Sequence, residues 1–151
     1  MADDDAAQVL AQECADAMWA TDRASQAMGI KVESVAPGKA TISMTVGPAM
    51  IGPGGVCGRG AIFLLADSAL AFAANTRGHR VVAQHCDIVF DNAVGAGEEL
   101  VAEASERHMS DRKGLYDVRV QTRAGRVVAE LRGHSHTLAD RLVERDRQSK
   151  P

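Results

Sequence analysis

The chain is expected to fold as an α+β domain in which one curled antiparallel sheet wraps a central helix. Three observations carry that reading. Residues 61–75 are apolar on almost every side, with only Asp67, Ser68 and Asn75 polar, so a helix there has to be enclosed. One strand-like segment precedes this run and four follow it, several of them half polar, as sheet faces that meet solvent are. The last three segments are separated only by residues 111–113 and by Ala124 and Gly125, connections too short for anything but antiparallel neighbours.

Taken in order, residues 5–28 read as an amphipathic helix or two short ones, with Val9, Leu10, Met18, Trp19 and Met28 as the apolar contacts among alanines. In residues 39–46 strict alternation puts Ala40, Ile42, Met44 and Val46 on one face and Lys39, Thr41, Ser43 and Thr45 on the other, the pattern of a half-buried strand. A glycine-rich loop then opens directly into the apolar helix. Further strands are expected at 80–90, 98–110, 114–123 and 126–138. The organisation is thus a helical segment over 1–28, a domain over 29–140, and a charged tail over 141–151 that frays. A single sheet curled around one helix is the hot-dog architecture. It leaves strand edges and apolar surface uncovered, so pairing of copies into an oligomer is the economical solution.

Composition sets limits. At 151 residues and 46% hydrophobic content, one domain with a real core is expected. The formal net charge is -3 and the pI near 5.9, with basic residues scattered from Arg23 to Lys150, which argues against nucleic acid as a partner. Cys14, Cys57 and Cys86 include no C-x-x-C pair, so neither a disulfide framework nor a zinc site is written, and a reducing cytoplasm fits. The start MADDDAAQ is acidic where a signal peptide is basic, and no apolar run approaches the ~20 residues that cross a bilayer. No membrane, metal or cofactor is called for, and the expected location is cytoplasmic.

The chemistry concentrates in residues 51–78. Backbone N–H groups brought to a helix N-terminus stabilise developing negative charge, and a lone carboxylate further along, Asp67, can act as base or nucleophile. The loop fails both nucleotide templates: it has no Gly-Lys-Ser/Thr, and Cys57 stands where the third dinucleotide glycine belongs. Cys57 is read as a small buried cysteine, His134 and His136 as satisfied or surface histidines, and His85 with Asp87 as solvated strand residues.

The segment VCGRGAIFLLADSALAFAANTRG resembles the helix signature of hot-dog thioesterases of the phenylacetic-acid-degradation type. KATISMTV before it, and KGLYDVRVQT and GRVVAELRGHSHTL after it, stand in the family's order, so the likeness spans residues 29–138. The resemblance implies a coenzyme A thioesterase acting on an aryl- or short acyl-CoA, assembled as a homodimer or as a homotetramer of two dimers, with active sites between subunits. It implies Asp67 as the catalytic carboxylate, general base or nucleophile, Arg59 and Gly60 as backbone oxyanion donors, Ser68 as an orienting hydroxyl, and Gly52, Gly58 and Phe63 beside the substrate. The departures from the family pattern are specific. Cys57, Gly58, Arg59 and Gly60 replace a usual Cys-His-Gly-Gly; Gly52, Pro53 and Gly54 replace Asn-Gly-His; and Phe90, Asp91, Asn92 and Ala93 replace Phe-Leu-Arg-Pro. Two polar side chains and a candidate coenzyme-binding arginine are missing, which keeps an acyl-CoA-binding protein with little turnover as the alternative.

Overall fold

The computed structural model describes residues 1–144. Among these, two N-terminal helices, α1 (Ala2–Trp19) and α2 (Arg23–Ala27), precede strands β1 (Lys31–Ala36) and β2 (Lys39–Thr45). A short 3-10 turn, Pro48–Met50, leads to the central helix α3 (Arg59–Ala74), followed by β3 (His79–Phe90), β4 (Glu99–Ser110), β5 (Lys113–Thr122) and β6 (Val127–Arg141). The strands form one antiparallel sheet in the order β1-β2-β4-β5-β6-β3, curled around α3 in the hot-dog arrangement.

The N-terminal apolar pattern resolves into two helices because Asp22 starts a new one. Its carboxylate accepts from the Ser25 N–H at 3.0 Å and from the Ser25 hydroxyl at 2.6 Å, an N-cap that ends continuity with α1. Strand β1 was not expected from the sequence. Its register slips between Val32 and Ser34, so its apolar residues, Val32 and Val35, fall three apart and the period of two disappears. The expected helix at 61–75 begins two residues earlier, at Arg59.

The core lies between α3 and the inner face of the sheet. Leu65, Ala66, Ala69, Leu70, Phe72 and Ala73 of α3 are buried against Ile42, Met44, Leu100, Ala102, Val118 and Val120. Leu70 of α3 packs directly over Gly133 of β6, where a β-carbon would stand 2.0 Å from Leu70 Cδ1. The far end of α3 is tied by Asn75. Its side-chain amide donates to the Ala71 and Val81 carbonyls at 2.9 and 3.1 Å, and its oxygen accepts from the Val81 N–H at 2.8 Å. Thr76 accepts from the Gly38 N–H at 2.9 Å, so the β1–β2 turn is fixed to the same helix end.

The two sheet edges differ. At β1 the edge is covered by α1, whose Gln8 amide donates to the Val35 carbonyl at 2.8 Å. At β3 twelve residues have β6 on one side and no strand on the other, and Cys86, Ile88 and Phe90 are only half covered. Strand β6 runs past the expected end at Leu138 to Arg141, and the Leu142 N–H bonds the Gly78 carbonyl at 2.8 Å. The start of the expected fraying tail is therefore tied down, while 145–151 lie outside the described residues. Among the described residues no helix is long and apolar enough to cross a membrane.

Candidate active site

The loop before α3 is built by glycine and pinned from two sides. Gly54 and Gly55 have φ of 90° and 77°, a left-handed pair that L side chains rarely adopt, and the turn closes with the Gly52 N–H on the Val56 carbonyl at 2.9 Å. The Cys57 N–H donates to the Val94 carbonyl at 2.7 Å and the Gly58 N–H to the Met50 carbonyl at 2.8 Å. These bonds fix where α3 starts. Gly58 is its N-cap and brings no side chain to cap it, and no acidic residue stands in the first turn. The Arg59 and Gly60 N–H groups consequently have no acceptor among the described residues, at the positive end of a 16-residue helix.

These donors border a cleft of about 590 Å³ lined by Gly52, Cys57, Gly58, Arg59, Ile62, Phe90 and Asp91, among others. The structure therefore brings the expected residues Gly52, Gly58 and Arg59 together, with Gly60 next in sequence. Arg59 places its guanidinium carbon 5.5 Å from the centre of the Phe90 ring, a cation–π contact. This pairing of loop and strand was not read from the sequence. The period of two in β3, which turns Cys86, Ile88 and Phe90 to the helix side, was the signal that pointed to it.

Asp67 lies two turns along α3 and does not line the cleft of its own chain. It is half-buried, has no hydrogen bond or ion pair among the described residues, and burial raises its carboxyl above the ordinary range. Phe63, one turn before it, is likewise half-buried on the same side of the helix. Cys86 of β3 sits nearby, its thiol pushed up first by burial and then by the charges of Asp67 and Asp87. Ser68 points elsewhere: its hydroxyl is buried 3.2 Å from that of Ser25, which Asp22 holds.

The other singled-out residues lie away from this region or are inert. Cys57 is 5% exposed and burial raises its thiol, the reverse of an activated thiolate. His85 and Asp87 pair at 3.0 Å, both well exposed, and His85 meets His134 edge-on at 5.7 Å between centroids. No group of three or more His, Cys, Asp or Glu able to hold a metal occurs among the described residues. Arg77 is held by Glu106 and Arg132 by Asp117.

The family model of the thioesterase superfamily matches residues 54–129, from the glycine turn through α3 into β6. The acyl-coenzyme A thioesterase PaaI of Escherichia coli is 37% identical over 129 residues, which cover 85% of this chain and 92% of that protein. The structure of the E. coli PaaI protein from the phenylacetic acid degradation operon has a TM-score of 0.87 to this one, with 35% identity over 89% of this chain and 97% of that chain. A mutant of the phenylacetic acid degradation protein PaaI from Thermus thermophilus gives a TM-score of 0.75 at 36% identity, over 78% of this chain and all (100%) of that one. The chain thus belongs to the thioesterase superfamily. Within it, this protein is a homologue of the acyl-CoA thioesterase PaaI.

Proposed function

We propose that the protein hydrolyses the coenzyme A thioester of an aryl or short acyl group. The observation that carries this reading is a pair of features on one helix: free N–H donors opening on a cleft at the start of α3, and the unpartnered, half-buried Asp67. A thioester carbonyl oxygen set against the Arg59 and Gly60 N–H groups gains negative charge when its carbon is attacked, and those donors and the helix dipole stabilise it. Asp67 either takes a proton from the attacking water or attacks the carbonyl itself. Collapse of the tetrahedral species breaks the carbon–sulfur bond, and the departing coenzyme A thiolate takes up a proton. The raised carboxyl pKa suits the base role, since it strengthens proton uptake.

Within one chain Arg59 and Asp67 are separated by about 12 Å along the helix axis, too far to act on one carbonyl. The complete site is proposed to form between two copies that meet along the free β3 edge, with the cleft of one facing Asp67 of the other. A homodimer, or a homotetramer of two such dimers, is the expected state in solution, and sedimentation shows which. The decisive assay is thiol release from a panel of aryl and alkyl acyl-CoA esters. Asp67→Asn and Asp67→Ala should lower turnover by about 10²–10⁴-fold. Unchanged turnover refutes the role of Asp67.

Gly52 and Gly58, which bring no polar side chain to the cleft, favour a second reading: an acyl-CoA-binding protein with little turnover. Tight calorimetric binding beside negligible thiol release selects it. In either case three cysteines without a C-x-x-C pair suit a reducing cytoplasm, where we place the protein.

A further inference from the structure

Chemistry at the start of α3 uses the Arg59 backbone and leaves its side chain unexplained. That side chain lines the cleft with Gly58, Ile62, Phe90 and Asp91 and stacks on the Phe90 ring. The ring contact leaves the five N–H donors of the exposed guanidinium open to the cleft. Among the described residues Arg59 has no acceptor, as with Arg23, Arg80 and Arg112, whereas Arg77, Arg119, Arg123, Arg126 and Arg132 each hold a carboxylate. Asp91 shares the cleft without pairing to it. The position is also unfavourable for a cation. Arg59 is the first residue of α3, at the positive end of the dipole, with no acidic side chain in the first turn to offset it. With the partner's Asp67 engaged at the reacting carbonyl, a cation anchored over a ring with its donors open to the cleft is arranged for an anion that the ligand brings.

We infer that the Arg59 guanidinium selects substrates whose acyl group carries a carboxylate. The inference rests on the thioester reading above, because it takes the reacting carbonyl to lie at the Arg59 and Gly60 N–H groups. With the carbonyl there, the guanidinium is within one side-chain length of the reacting carbon. The phosphates of the coenzyme lie beyond the whole pantetheine arm, so an anion within that reach belongs to the acyl half. A short dicarboxylic acyl group sets its terminal oxygens against the guanidinium edge, the bidentate geometry that arginine matches and lysine does not, while Ile62 and Phe90 flank its methylenes.

The test is calorimetric binding of two coenzyme A thioethers, S-carboxybutyl and S-pentyl, which cannot be hydrolysed and so report recognition independently of turnover. The natural protein should bind the carboxylated thioether about tenfold or more tightly than the neutral one at pH 7, the effect of one charge-assisted hydrogen-bonded pair. Arg59→Gln should abolish the preference and Arg59→Lys should keep part of it; because Arg59 is exposed, both variants are expected to melt with a normal cooperative transition. Equal binding of the two thioethers by the natural protein overturns the inference, as does a preference that survives Arg59→Gln. The same pair built on pantetheine, without phosphates, separates the two sources of negative charge. A preference retained on pantetheine supports the acyl carboxylate. An Arg59→Gln loss that is equal for both coenzyme thioethers and absent on pantetheine assigns the guanidinium to a phosphate and overturns it. If no acyl-CoA ester releases thiol while the preference holds, hydrolysis is refuted and recognition by Arg59 stands.

Discussion

Gly133→Ala should destabilise the protein although alanine suits a strand better than glycine. The β-carbon would lie 2.0 Å from Leu70 Cδ1 and 3.5 Å from Cys86 Sγ. An ordinary carbon–carbon contact is about 3.5–4.0 Å, so roughly 1.5 Å must be found. Leu70 is 1% exposed and packed on all sides, which leaves it no free rotamer to move into. Nor can the helix slide away, because α3 is held at its start by the Gly58–Met50 bond and at its end by Asn75. Overpacking of this kind costs about 1–3 kcal/mol, and alanine recovers about 0.5–1 kcal/mol of backbone entropy. A net loss of about 1–2 kcal/mol follows, which for a chain of this size lowers the melting temperature by roughly 2–8 °C.

Urea denaturation measures the loss as a lower midpoint at unchanged slope. The cause is isolated by a double-mutant cycle. Leu70→Ala alone should cost about 2–5 kcal/mol, and in that background Gly133→Ala should be neutral or stabilising. A midpoint for Gly133→Ala at or above that of the natural protein refutes the packing argument. So does a cost that persists once Leu70 has been shortened.

Three further outcomes are expected. The carboxyl of Asp67 is raised by burial, so its protonated form supports the fold fully below the ordinary value of 3.8 and that support is lost as pH rises through the higher folded value. Asp67→Asn, neutral throughout, should therefore gain stability relative to the natural protein above this window and show no gain at lower pH in paired urea melts, while thiol release is lost. Gly58→Asp supplies the missing N-cap and a favourable charge, and should stabilise by about 0.5–1 kcal/mol while lowering turnover at least about tenfold by occupying the first-turn donors. Tyr116→Phe removes the hydroxyl that donates to Glu106 at 3.1 Å; because Glu106 keeps Arg77, the loss in a thermal melt should be only about 1 kcal/mol.

Elements were legible where one periodicity ran unbroken. Strand β2 and the later strands show alternation, and α3 shows an apolar run too long and too uniform for a strand. Strand β1 was hidden because a bulge moves Val32 and Val35 out of phase, and the local pattern carries no trace of its pairing with β2. At the candidate site, glycine punctuation and the family likeness pointed to Gly52, Gly58 and Arg59, which line one cleft, and to Asp67, which does not. Contacts between distant segments were not legible. The stacking of Arg59 on Phe90 and the approach of Cys86 to Asp67 depend on β3 running beside α3, which no residue of either segment announces alone. Ser68 shows the converse. Its position on the helix was read correctly, but its partner, Ser25, comes from a short helix whose packing only the fold reveals.

Three local rules of stability are broken within ten residues at the start of α3, from its N-cap to Asp67. Its N-cap is a glycine with no capping side chain, its first residue is a cation at the positive end of the dipole, and Asp67 is a half-buried carboxylate without a partner. Other parts of the chain show the satisfied form of these features: α2 has Asp22 as its cap, Arg132 and Arg123 hold carboxylates, and Asn75 closes the far end of α3. The first two border one cleft at the start of the helix and Asp67 lies two turns along it, the placement on which the proposed hydrolysis draws. Because each defect has a different cure, the cures can be compared: a cap at Gly58, a neutral residue at Arg59 and an amide at Asp67 should each raise stability while altering turnover, recognition and proton transfer respectively.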